Sequence, residues 1–219
     1  PKIAIIGGTG REGKGLAYRW VKAGYHVIIG SRDPAKAAAT SNELNTVLFS
    51  KNTSGSGNQQ AAKEGQIIVL TAPYTFHKET LHNLKEFLSG KLVIDVTVPL
   101  NPPKVAKVQM PPAGSAAQEA NLILGETTQL AAAFHNISYE NLINDDMGCD
   151  CDVLVTGTSK ESRQTTLDLV KAAGFTGWDA GPIENSVVLE GLTSILIGIN
   201  RVYGSTHAGI RITGVDRKD

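Results

Sequence analysis

Short apolar runs, separated by segments with helical periodicity, constrain this chain more than any other feature. KIAIIG (2–7), HVIIG (26–30), QIIVLTAP (66–73), KLVIDVTVP (91–99), QLAAAFH (129–135) and DVLVTG (152–157) each read as a strand, without polar alternation. A strand that is apolar on both faces needs cover on both faces, which parallel sheets with helical crossovers supply. Helices fit between these runs at 12–25, 34–48, 76–88, 115–123 and 160–173. Asp33 and Pro34 mark the start of the second helix as cap and first-turn proline. The polar KNTSGSGNQ (51–59) reads as a loop with room for a short strand. The expected fold is α/β: a doubly wound, mainly parallel Rossmann-type sheet with a small C-terminal helical extension.

The expected organisation is a nucleotide-binding domain over 1–180 and a long helix with its tail over 181–219. LNPPKVAKVQMPPAG (100–114) is proline-rich and should be an irregular connection near the carboxyl ends of the strands. In the tail, Val187, Val188, Leu189, Leu192, Ile195, Leu196 and Ile199 cover more than one face of a helix of about five turns. So much apolar surface is expected to be buried, either on its own domain or against a second subunit; the second is favoured, which would make a homodimer.

Lys plus Arg equals Asp plus Glu at 21 each, so there is no overall basic field to hold nucleic acid or an anionic membrane. No apolar run approaches the roughly 20 residues that span a bilayer, and the chain opens directly into a strand, so the expected compartment is the cytoplasm. Cys149 and Cys151 form a lone CDC without a second pair or a nearby histidine; they read as reduced thiols at the start of a strand, with no metal site.

The first strand feeds GGTGREG, where Gly8, Gly10 and Gly13 fit G-x-G-x-x-G. The first glycine permits the tight turn, the second lets the backbone approach a pyrophosphate, and the third lets the helix pack close. The end of the second strand approaches the adenosine ribose, where an acid would select NAD. Here stand Ser31 and Arg32, with Lys36 one helical turn later. A hydroxyl, a guanidinium fork and an ammonium suit a 2′-phosphate, so the expected cofactor is NADP(H). Asp33 is an acid nearby, but as the cap of a helix its carboxylate is expected to be taken up by backbone N–H groups.

No catalytic side chain is expected. Tyr18 with Lys22 and Tyr74 with Lys78 match Tyr-x-x-x-Lys, but neither pair lies on the later helix where a short-chain dehydrogenase needs it. His26, His77 and His82 read as strand-start and helix-surface residues, whereas His135 ends an apolar strand at the ligand-binding edge. Without a nucleophile–base pair, a direct hydride transfer between two bound cofactors is the natural chemistry.

IAIIGGTGREGKGLA, GSRDPAK, LTAPY, VTVPL, AFHNI, DAGPIENS and the closing INRVYG with HAGIRI occur in this order along nearly the whole chain. In them the sequence resembles the NADPH-dependent reductases of coenzyme F420. The resemblance implies an oxidoreductase that passes hydride between NADP(H) and this deazaflavin, with coenzyme F420 as co-substrate. It also implies that Thr9, Gly10, Arg11 and Glu12 lie on the NADP phosphates, and that Ala72, Phe76, Val98 and Tyr139 approach the nicotinamide half. His135, Ile137, Ala208 and Gly209 would line the deazaflavin pocket. Two other readings stay open: an NADP-dependent flavin or ferric reductase, and a non-catalytic NADPH-binding redox sensor.

Overall fold

The computed structural model describes residues 1–143 and 150–215. It opens with β1 (Lys2–Ile6), α1 (Arg11–Lys22), β2 (His26–Ser31), α2 (Pro34–Val47), β3 (Thr53–Gly57) and α3 (Asn58–Glu64). β4 (Ile67–Leu70), α4 (Tyr74–Leu88) and β5 (Leu92–Asp95) follow, then an irregular stretch and α5 (Ala116–Leu124). The chain continues through β6 (Gln129–Ala132), α6 (Tyr139–Ile143), β7 (Asp152–Gly157), α7 (Lys160–Ala172), β8 (Thr176–Pro182) and α8 (Ser186–Tyr203).

The strands form one sheet in the order β3-β2-β1-β4-β5-β6-β7-β8. Every neighbouring pair is parallel except β6 with β7. Alternate residues of β1, β2, β4, β5 and β6 enter two separate cores, while β7 gives Val153 and Val155 to one of them. Ile3, Ile5, Val27, Ile29 and Val69 pack with Leu16, Trp20 and Leu169 on one face, while Ala4, Ile6, Ile28, Ile68 and Leu70 pack with Ala61, Leu81 and Leu84 on the other. This is why the strands read as continuous apolar runs.

Two strands escape that rule because they sit at the edges. β3 is TSGSG, and its Gly55 is pressed so close to α2 that a Cβ there would overlap the Ala37 carbonyl group. β8 is TGWDAGP and only half-covered, so its sequence carries no apolar signal. α3 and α6 are likewise absent from the apolar pattern, having seven and five residues.

α8 has the expected length, at 18 residues. One side is buried through Leu189, Glu190, Gly191, Ser194 and Leu196, with Gly191 and Gly198 facing Val108 and Ala106 of the irregular segment. Val188, Ile195, Ile199, Val202 and Tyr203 are exposed on the remainder. Counting from the 3-10 turn at Ile183–Asn185, the helical stretch Ile183–Tyr203 is long and apolar enough by length and composition to cross a bilayer. The sequence reading found no such run because Glu184, Asn185, Glu190 and Asn200 interrupt it. Glu190 binds it to the rest of the fold: its carboxyl oxygens accept hydrogen bonds from the N–H groups of Ala116 and Ala117 at the start of α5 (2.7 and 3.0 Å).

Candidate functional site

β1 and β4 are neighbours that lead in opposite directions across the sheet, so a crevice opens beyond their carboxyl ends. The chain leaves β1 through Gly7–Gly10, a turn closed by hydrogen bonds from Gly8 N–H to Gly30 O (3.0 Å) and Gly10 N–H to Gly7 O (3.0 Å). α1 then begins with Gly10 at its cap position and no side chain to satisfy its first N–H groups. Free N–H groups at a helix N-terminus suit an anion. Gly13 is required by contact: a Cβ there would lie 2.7 Å from Gly8 Cα and 2.8 Å from Thr71 Oγ1.

The crevice holds a cleft of about 460 Å³ lined by Thr9, Gly10, Arg11, Glu12 and Gly13 from the first turn and Ser31, Arg32 and Lys36 from the end of β2 and start of α2. Gly8 is buried beneath it. Asp33 caps α2, accepting from Ala35 N–H (3.0 Å) and Lys36 N–H (3.3 Å), so it does not compete for the cleft. Ser31 Oγ takes the Asp33 N–H (3.1 Å). Arg32 lays its guanidinium over the Phe76 ring, 4.6 Å from the centroid. Phe76 therefore sits at the Arg32 end, whereas Val98 lines a second pocket; the resemblance had grouped the two.

That second pocket, about 210 Å³, adjoins the cleft and shares Glu12, Thr71, Ala72 and Pro73 with it. Its other walls include Tyr74, Val98, Leu100, Phe134, His135 and Ile137. Phe134 takes φ of 68°, a left-handed conformation unusual for a bulky residue and costing on the order of 1–3 kcal/mol. Edge-to-face packing on Trp20 (5.9 Å) and Phe175 (6.4 Å) holds it there. The resulting bend turns His135 and Ile137 into the pocket. His135 is anchored from α8 by the Thr193 hydroxyl, which donates to its carbonyl (2.6 Å). Burial pushes the His135 pKa down to about 4, with the Asp95 charge opposing more weakly, and neither ring nitrogen has a partner. A neutral imidazole with an unused donor and acceptor thus faces the cavity.

Tyr139 lies outside both linings but its ring is 5.8 Å from the Arg11 guanidinium. Ala208 and Gly209 line neither pocket. This part of the tail runs irregularly past β7: Ala208 N–H donates to Asn200 Oδ1 (2.9 Å), Gly209 abuts Cys151, and Asp152 N–H donates to Ile210 O (2.8 Å). Ser138 Oγ donates to Thr206 O (2.9 Å), which ties the tail to the loop after Ile137. Cys151 sits just before β7, accepting from Asn141 Nδ2 at 3.8 Å, and Cys149 lies outside the described residues. Among the described residues no cluster of three metal-ligating side chains occurs.

Behind the second pocket lies a polar layer that the sequence reading missed. His77 is fully buried on α4, not a surface residue, and its Nε2 pairs with Asp95 Oδ2 at 2.7 Å. Burial lowers the His77 pKa, but the Asp95 charge and hydrogen bond outweigh it and leave it raised. The Asp95 carboxyl is in turn held below its usual range by His77 and the Thr97 N–H, against its burial. Tyr74 and Lys78 do not form an acid–base couple; the phenol donates to Glu119 (3.0 Å), and the Lys78 ammonium pairs with the same carboxylate (2.8 Å). Burial and Glu119 push the Tyr74 pKa up to about 12, so the phenol keeps its proton. Asn58, at the start of α3, also joins the cleft with an unpartnered Oδ1. SGSGN read as strand and helix start would have placed it there.

The family described as NADP oxidoreductase, coenzyme F420-dependent, matches residues 2–99. Over 98% of its length the chain is 37% identical to the F420-dependent NADP reductase of Methanocaldococcus jannaschii, covering 99% of that protein. It is 35% identical to the reductase of the same description from Methanothermobacter marburgensis, again over 98% of this chain and 99% of the relative. Among solved structures, a candidate F420-dependent NADP reductase from Arthrobacter sp. FB24 superposes with a TM-score of 0.78 at 20% identity, over 97% of this chain and 99% of that one.

Proposed function

The chain belongs to the family of F420-dependent NADP reductases, and from that premise we propose that it passes hydride between NADP(H) and coenzyme F420 across the boundary of the two pockets. The observation that carries this reading is the shared wall. Glu12 and Thr71–Pro73 border both cavities, so two flat rings lodged one in each would meet face to face there. When bound, NADPH supplies the hydride and the deazaflavin accepts it; the protein supplies alignment.

In this reading the first turn of α1 and its glycine loop hold the pyrophosphate, while Ser31, Arg32 and Lys36 hold the 2′-phosphate. Phe76 keeps the Arg32 guanidinium flat beside the adenosine. Ala72, in the wall common to both cavities, bounds the nicotinamide, and Val98, His135 and Ile137 border the acceptor, with neutral His135 free to hydrogen-bond a carbonyl or ring N–H. Ala208 and Gly209 enter the acceptor site only indirectly, through the tail contact at Ser138. The 1–180 unit carries the nucleotide, and the extension at 181–219 braces the acceptor side. The exposed Val188, Ile195, Ile199, Val202 and Tyr203 of α8 suit a homodimer contact, and a cytoplasmic location follows from the substrates.

The test mixes purified protein with NADPH and oxidised F420 and follows the loss of the deazaflavin's visible absorbance, with NADH in a parallel cuvette. Rapid bleaching with NADPH and little with NADH is expected. Protein that binds NADPH tightly yet leaves F420 oxidised would refute the acceptor.

A further inference from the structure

Among the described residues Glu12 has the one carboxyl that lines both pockets, and its Oε1 is sealed from water without any hydrogen-bond partner. A phosphate suits it poorly: in ionised form it would repel one, and in un-ionised form its O–H could donate but its C=O would still be set against phosphate oxygens that carry no hydrogen. The charged and titratable groups around it are Arg11, Arg32, Asp33 and Lys36 in the cleft and Tyr74 and His135 in the smaller pocket. Arg11 points to Tyr139, Arg32 to Phe76 and Asp33 to its own helix, so each of these three is directed elsewhere.

We propose that Glu12, in its un-ionised form, holds the carboxamide of the nicotinamide and so fixes the ring's rotation against the acceptor. The inference rests on the nucleotide reading of the cleft. A carboxylic acid and a primary amide are complementary: the acid O–H donates to the amide oxygen while the acid C=O accepts from the amide N–H. A carboxylate has acceptors alone and would turn a lone pair toward the amide oxygen. Burial, which pushes the Glu12 pKa up to about 8, keeps the acid protonated at neutral pH. A pyrophosphate on the first turn of α1 would shift it further the same way. Glu12 is thereby a positioning residue for the nicotinamide, not a phosphate ligand.

The experiment titrates NADPH into the full chain by dihydronicotinamide fluorescence, without F420, from pH 6 to 9.5. Wild type should weaken by roughly tenfold or more as pH rises past about 8, as two hydrogen bonds are lost. Glu12→Gln, whose amide pairs with the carboxamide equally well, should bind as tightly at pH 7 and show no alkaline fall. Glu12→Leu should bind roughly tenfold more weakly at pH 7, with a flat profile. It should also lose the wild-type preference for NADPH over its 3-acetylpyridine analogue, whose methyl ketone has no N–H to give. An alkaline fall retained in Glu12→Gln overturns the proposal, as does wild-type preference in Glu12→Leu. Failure of the nucleotide reading looks different: wild type itself would bind no NADPH at any pH.

Discussion

Replacing Arg32 with alanine separates its observed contact with Phe76 from the 2′-phosphate role proposed for it. The guanidinium is exposed and lies 4.6 Å from the Phe76 ring centroid, a cation–π contact contributing about 0.5–1 kcal/mol at such a site. Charge-assisted hydrogen bonds to a 2′-phosphate would contribute about 1.5–3 kcal/mol more in the complex. Since the ring contact exists in the free protein too, only the phosphate bonds enter the binding difference directly. Arg32→Ala should therefore raise the NADP(H) dissociation constant by roughly tenfold to 150-fold. NAD(H), which lacks the phosphate, should bind almost as before. Phe76→Leu leaves the charge but frees its orientation, and because the ring contact is present in both states its loss should weaken NADP(H) by at most about fivefold. Fluorescence titrations with NADPH and NADH at one fixed ionic strength read all of these, because screening would otherwise mask a surface charge. Equal losses for the two nucleotides on removing Arg32 would show that it serves the common part of the dinucleotide and would refute the 2′-phosphate assignment.

Gly13→Ala places a methyl 2.7 Å from Gly8 Cα and 2.8 Å from Thr71 Oγ1, so the melting temperature should drop by roughly 2–10 °C and NADPH affinity with it; an unchanged melting curve would contradict the close packing. His77→Ala leaves the buried Asp95 carboxylate without its cation and should cost about 3–5 kcal/mol in urea unfolding, where less than 1 would mean the pair contributes little. In ligand-free protein, Glu12→Gln should gain melting temperature relative to wild type as pH rises from about 5 to about 8. The sign follows from the raised pKa: a carboxyl at 4.5 when unfolded and about 8 when folded contributes stability below the first value that is lost as pH rises through the second. A pH-independent gap between the two proteins would argue against a protonated Glu12.

What could be read from the sequence follows the physics of burial. β1, β2 and β4–β6 announce themselves because both of their faces are buried in a core, and the glycine loop because its spacing is dictated by contact. β3 and β8 are edge strands whose TSGSG and TGWDAGP need no such cover and therefore leave no apolar trace. His77 was legible in principle: with Leu81, Leu84 and Leu88 it forms the buried stripe of α4, at helical spacing. A polar residue in an apolar stripe asks for a buried partner, but nothing local reveals that Asp95, 18 residues away on β5, is that partner. Phe134 was opaque for another reason. Its left-handed backbone depends on rings contributed by Trp20 and Phe175, and no pattern within AFHNI foretells it.

Gly55 never touches the cleft, yet it governs the reach of the side chains above it. Because the strand has no side chain at that point, α2 settles onto bare backbone at Ala37, one residue past Lys36 and one turn beyond the Asp33 cap. The depth at which the helix comes to rest thus sets how far Arg32 and Lys36 can lean toward an adenosine. Any side chain at Gly55 would act as a shim under the helix, lifting its first turn and opening the gap those two cations must close. With Arg32 and Lys36 as the proposed 2′-phosphate ligands, discrimination between phosphorylated and plain dinucleotides would be calibrated from the floor of the sheet, by an atom that is not there.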